Sequence, residues 1–87
     1  MGVVEDMGDQ LARDVIAAMK ETGDERLQDK ISKVLLDASP TMQEAFLTAY
    51  RVRVAEQRGR AYLEATLKAK REGGSGPAAP RMADGGH

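Results

Sequence analysis

The sequence predicts an all-α fold: a small three-helix domain with a long third helix and a disordered C-terminal tail. Three observations carry that expectation. Ala, Leu, Glu, Lys, Gln, Arg and Met, the strong helix formers, dominate residues 5–72, and Pro40 is the only proline among them. Apolar positions recur at steps of three and four, with none of the period-two alternation a half-buried strand would show. Residues 73–87 hold five glycines and two prolines in fifteen positions, too little apolar surface to offset the entropy of ordering them. The organisation expected is therefore a three-helix domain over 1–72 and a flexible Gly/Pro-rich tail over 73–87.

The first helix is expected over about 5–21. Val4, Met7, Leu11, Val15 and Met19 step along one face, with Ala12 and Ile16 beside them. Gly23 suits the left-handed residue that closes a helix. A second helix, over about 25–38, has Asp24 as its expected N-cap and Glu25 in its positive first turn. Its apolar stripe is Leu27, Ile31, Val34, Leu35 and Ala38, and Ser39-Pro40 ends it, because the residue before a proline is pushed out of helical geometry. Thr41-Met42-Gln43-Glu44 has the spacing of a capping box and opens a third helix over about 42–71. Thirty residues at 1.5 Å each give a helix of about 45 Å, twice the length of either partner. Gly59 lies within it, at a cost of about 1 kcal/mol relative to Ala, and marks a bend, a close helix approach or simply an exposed glycine.

The long helix shows two apolar stripes where packing on two short helices needs one. Ala45, Ala49, Val52, Gly59, Leu63 and Leu67 form a seam broken by Glu56; Leu47, Tyr50, Val54, Ala61 and Ala65 lie on a neighbouring face. Met42 and Phe46 face the expected core. The second stripe is either a broad core that wraps the first half of the helix or a surface for another molecule. Charge is uneven too. Residues 1–40 hold nine acids and five bases, and residues 41–87 five acids and eight bases, so a net charge of −1 averages an acidic half and a basic half. Arg51 and Arg58 lie a heptad apart, as do Arg53 and Arg60. Glu56–Arg60 and Glu64–Lys68 are spaced as intrahelical pairs, which makes a solvated face the plain alternative to a basic rim around an apolar anchor.

Chemistry finds little support. There is no Cys or Trp, and the only His is His87 in the glycine-rich end, so thiolate metal sites, cysteine nucleophiles and His-based triads are not expected. No phosphate loop or calcium-loop spacing occurs, and the serines have no base. No cofactor or metal is expected, and no enzyme. No apolar run approaches the roughly 20 residues of a membrane span. Met1-Gly2-Val3-Val4-Glu5-Asp6 is acidic where a secretory signal is basic, and Asp6 stands where a myristoylation site wants Ser or Thr. A cytoplasmic address follows as the simplest expectation.

Asp24-Glu25-Arg26-Leu27, Ile31 and Val34-Leu35, then Thr41 and the run Glu44-Ala45-Phe46-Leu47-Thr48-Ala49-Tyr50-Arg51-Val52-Arg53-Val54-Ala55-Glu56, resemble the QseM-type antiactivators of α-proteobacterial mobile symbiosis islands. The resemblance covers about residues 24–67 and rests on size, helix order and that run. It implies a small protein that sequesters transcriptional activators, a quorum-sensing regulator among them, and restrains transfer of a mobile element. It transfers no binding residues.

The expectation that follows is a protein-binding module that uses its third helix to hold a transcriptional activator. Leu47, Tyr50, Arg51, Val54, Arg58 and Leu63 are the candidate partner-binding residues, apolar anchors with arginines at the rim. Two alternatives stay open. One is a helix-turn-helix DNA-binding regulator turning at Ser39-Pro40, although a pI of about 5.8 and a first turn without a basic residue do not point to nucleic acid. The other is a helical homo-oligomeric structural or adaptor protein, with a homodimer seam along Ala49, Val52, Gly59, Leu63 and Leu67.

Overall fold

The computed structural model describes residues 2–74 and 76–78. Three helices run in order: α1 Val3–Thr22, α2 Leu27–Ala38 and α3 Pro40–Arg71, with no strand among the described residues. The fold is all-α, as composition and periodicity predict. Two compact units divide the chain, Met1–Glu56 and Gln57–His87.

The joints between helices are made by single residues with specific backbone roles. Gly23 closes α1 at φ 76°, and its N–H donates to the Met19 carbonyl at 2.8 Å. That left-handed conformation is open to glycine without the Cβ clash other residues meet. Asp24 does not cap α2 as expected. Its Oδ1 accepts the Arg26 N–H at 3.0 Å and its Oδ2 accepts the Lys30 ammonium at 2.9 Å, so it builds an Asx-type turn, and α2 begins two residues later at Leu27.

Ser39 is the only residue between α2 and α3. Its backbone is extended (φ −164°, ψ 103°), its N–H donates to the Leu35 carbonyl at 2.6 Å, and its carbonyl accepts the Gln43 N–H. Its Oγ accepts the Met42 N–H at 3.2 Å. The residue therefore closes one helix and caps the next. Pro40 ends α2 as expected but also starts α3, in the first helical position, where its missing N–H costs nothing. The capping box expected at Thr41 is thus displaced: Ser39 caps, and α3 starts at Pro40 instead of Met42.

In the first unit, the core gathers on Phe46, which is fully buried with Ala12 and Val15. Leu11, Met19, Leu27, Ile31, Leu35, Leu47, Ala49 and Tyr50 pack around it. Phe46 and Tyr50 stack with ring centroids 6.1 Å apart, and the Tyr50 hydroxyl donates to the Met19 sulfur at 3.9 Å. Burying a Phe or Val side chain contributes about 1.5–3 kcal/mol each, so this cluster supplies most of what a unit of this size can have.

Two expected stripes rotate. On α1 the buried positions are Gly8, Ala12, Val15 and Ile16, while Met7 is 54% exposed. The reason is Gly8: a Cβ there would stand 2.8 Å from the Ala45 carbonyl carbon, so α1 and α3 touch backbone to backbone at this point. On α2, Val34 is 66% exposed and Ala38 is exposed, whereas Ser32 is buried and its Oγ accepts the Gln43 amide at 3.1 Å. A hydroxyl with a partner is what permits a polar residue inside.

In the second unit, Gly73 and Gly74 terminate α3. The Gly74 N–H donates to the Ala69 carbonyl at 2.7 Å and the Gly73 N–H to the Lys70 carbonyl at 3.1 Å, with Gly73 at φ 80°. That pair of bonds is a Schellman motif. Gly76 then lies against Thr66, where a Cβ would stand 3.2 Å away. The flexible tail expected from residue 73 thus begins with two glycines that finish the helix; Ser75 and residues 79–87 lie outside the described residues.

Candidate functional site

Helices α1 and α3 leave an open depression of about 490 Å³ on the first unit. Val4, Ala45, Ala49 and Val52 make its apolar floor, with Thr41 and Thr48 alongside. Its charged residues, Glu5, Asp9 and Glu44, are all acidic. The floor exists because α3 presents small residues where Gly8 lets the helices meet, and a wall of larger side chains would fill the space. Val52, at its edge, is 62% exposed.

Asp9 is spoken for. Its Oδ1 and Oδ2 accept the Arg53 Nε and Nη2 at 2.6 and 2.8 Å, a two-pronged pair that ties α1 to α3. The Arg53 hydrogen bond holds the Asp9 carboxyl below its ordinary value, and Asp9 in turn holds the Arg53 guanidinium above its own. The Lys30 ammonium, then the Arg26 N–H, depress Asp24 in the same way. Asp29 and Lys33 make the ordinary helix-surface pair, 3.3 Å apart. Glu64 and Lys68, spaced for such a pair, make none among the described residues. Glu5 and Glu44 also take part in no ion pair among the described residues.

In the second unit, α3 carries a different surface. Leu63 is 50% exposed and Leu67 41%, with Tyr62 beside them. Arg58, Lys68, Lys70 and Arg71 are also exposed, and Lys70 and Arg71 fall on the side of Leu67, three and four positions on. Gly59 is exposed and has nothing within 4 Å of a built Cβ, so the close helix approach expected there as one possibility is absent, and such an approach belongs to Gly8.

The six sequence candidates separate into two groups. Leu47 and Tyr50 pack against the Phe46 cluster, and Val54 is half-buried. Arg51, Arg58 and Leu63 are exposed. Sequence reasoning missed the acidic depression altogether. Glu5 and Glu44 stand 39 positions apart and no local spacing links them, while the one available signal, Gly8 inside an apolar helix face, marks a close approach.

No family model, curated protein or solved structure matches this chain. What the surface can do follows from its own chemistry. No helix among the described residues is long and apolar enough to cross a membrane. Among the described residues, no three His, Cys, Asp or Glu side chains are grouped so that they could hold a metal ion. Exposed leucines edged by guanidinium and ammonium groups are suited to burial against an apolar surface with acidic surroundings.

Proposed function

We propose that this chain is a small protein-binding module, an antiactivator that sequesters a transcriptional activator through its third helix, and that it acts in the cytoplasm by binding, not catalysis. One observation carries the reading: Leu63 and Leu67, one turn apart on α3, are half exposed, with the exposed Lys70 and Arg71 three and four positions beyond Leu67. An apolar pair of this kind is what a helix-in-groove partner takes as its anchor. Arg51 belongs to the same reading as a rim charge. Leu47, Tyr50 and Val54 act behind it by holding α3 on the core. The resemblance of residues 24–67 to QseM-type antiactivators supplies the class of partner, a quorum-sensing regulator. A one-residue joint at Ser39 is shorter than the three- to four-residue turn of a helix-turn-helix, which favours a protein partner over DNA.

The test is affinity purification from the native host with mass spectrometry, comparing the wild type with Leu63→Ala and Arg58→Glu. Enrichment of a transcriptional activator by the wild type, lost with both variants, supports the proposal. Recovery of no DNA-binding regulator, or equal recovery with both variants, overturns it.

A further inference from the structure

We propose that the acidic depression on the first unit takes the Gln57–Arg71 stretch of α3 from a second copy of the chain. Charge names this occupant. Residues 1–56 hold eleven acids and seven bases, whereas residues 57–72 hold five bases and two acids. Glu5 and Glu44 at the depression, and Lys68, Lys70 and Arg71 on the stretch, have no ion-pair partner among the described residues. The two surfaces are therefore opposite in sign, and these five side chains, unlike Asp9, have no ion pair among the described residues.

Shape agrees with charge. Ala45 and Ala49 are small residues one turn apart on the floor, and Leu63 and Leu67 are large, exposed residues one turn apart on the stretch. Leucine knobs entering a floor of alanines is the pairing that close helix contact requires. Laid antiparallel to the floor, Leu63 meets Ala49 and Leu67 meets Ala45. Each copy offers both surfaces, so the exchange is reciprocal. This inference does not rest on the activator reading; the second copy and an activator would take the same Leu63–Leu67 surface in turn, and the test uses the purified chain alone.

The experiment is sedimentation equilibrium of the full chain, from micromolar to millimolar protein, at low and high salt. The expected result is a species of twice the 9.4 kDa monomer mass that dissociates as salt rises. Two charge-reversed chains follow, Glu5→Lys with Glu44→Lys, and Lys68→Glu with Lys70→Glu, all at exposed positions. Each alone associates about tenfold more weakly or worse, and an equimolar mixture of the two regains the wild-type association. Leu63→Ala weakens it without changing the charge. Amide resonances of Ala45, Ala49 and Val52 shift with protein concentration in the wild type. A wild type that stays monomeric at millimolar concentration overturns the proposal, as does a mixture that fails to regain association, or concentration-dependent shifts that spare these three residues.

Discussion

Two glycines in helices, Gly8 and Gly59, should respond to alanine in opposite directions. Glycine inside a helix costs about 1 kcal/mol relative to Ala, so each substitution gains up to that amount from backbone entropy alone. At Gly59 nothing stands within 4 Å of the new methyl, and the whole gain remains. At Gly8 the methyl would lie 2.8 Å from the Ala45 carbonyl carbon and 2.9 Å from the Ala45 methyl. Separations that short force α1 and α3 apart, and overpacking of this kind costs typically about 1–3 kcal/mol. Taking the middle of that range, Gly8→Ala loses about 1 kcal/mol net while Gly59→Ala gains about as much. For a domain of this size each kcal/mol moves Tm by roughly 4–8 °C, so the two variants should melt about 8–16 °C apart, on either side of the wild type. Thermal melts followed by far-UV circular dichroism, with urea unfolding alongside, measure the difference. Trimming the neighbour in a Gly8→Ala, Ala45→Gly double variant should not restore stability, because the Ala45 carbonyl carbon remains in place. A Gly8→Ala chain that melts at or above the wild type would refute the close approach of α1 and α3.

Phe46→Ala removes the largest fully buried side chain, at a cost of about 3–5 kcal/mol. That is comparable to the whole stability of so small a domain, and a cooperative urea transition should vanish. Ser39→Ala should lose about 1 kcal/mol in urea unfolding and Thr41→Ala less than about half of that, a contrast that reverses if the capping box at Thr41 is the working cap. The folded-state pKa of Asp9 is depressed, so its pairing with Arg53 stabilises above the unfolded value near 3.8 and is lost as pH falls through the folded value. Asp9→Asn should therefore flatten the acid side of the stability curve below that pH; an acid limb identical to the wild type would mean that the pair, being solvent-exposed, contributes nothing.

The helices were legible because their signals are local. Spacing, Gly23 and the Ser-Pro step each act within one or two turns, and all three helices stand near where those signals put them. Boundaries moved where one residue could serve two ends. Ser39-Pro40 reads as a stop, but the same extended backbone that ends α2 is also the geometry of an N-cap, and proline is at home in the next position. Asp24 reads as a cap by type, yet an Asx turn is equally natural to it, and the Lys30 ammonium fixes the choice from six residues away. On α1, the pattern placed Met7 in the stripe because hydrophobicity alone ranks it above Gly8. The structure ranks them the other way, since a close backbone approach selects for the smallest side chain and not the most apolar one.

The surface was harder to read for a physical reason. An amphipathic pattern says which positions of a helix are apolar, and leaves open how wide an arc the neighbours cover. Along Ala45–Val54 residues of α1 and α2 pack against α3, so Phe46, Leu47 and Tyr50, which span about 100° of its circumference, turn inward. On 57–71 the same residue types include Leu63 and Leu67, which are half exposed. Leu47 and Leu63 are thus alike by type, and spacing, which sets them on different stripes, does not say which stripe is covered. Charge carries the missing information. Along α3 the first unit pairs its Arg53 with Asp9 and keeps acids at the rim, while the stretch beyond Glu56 has three basic residues near its end and half-exposed leucines. The proposed binding role of this stretch rests on those exposed leucines and basic residues together.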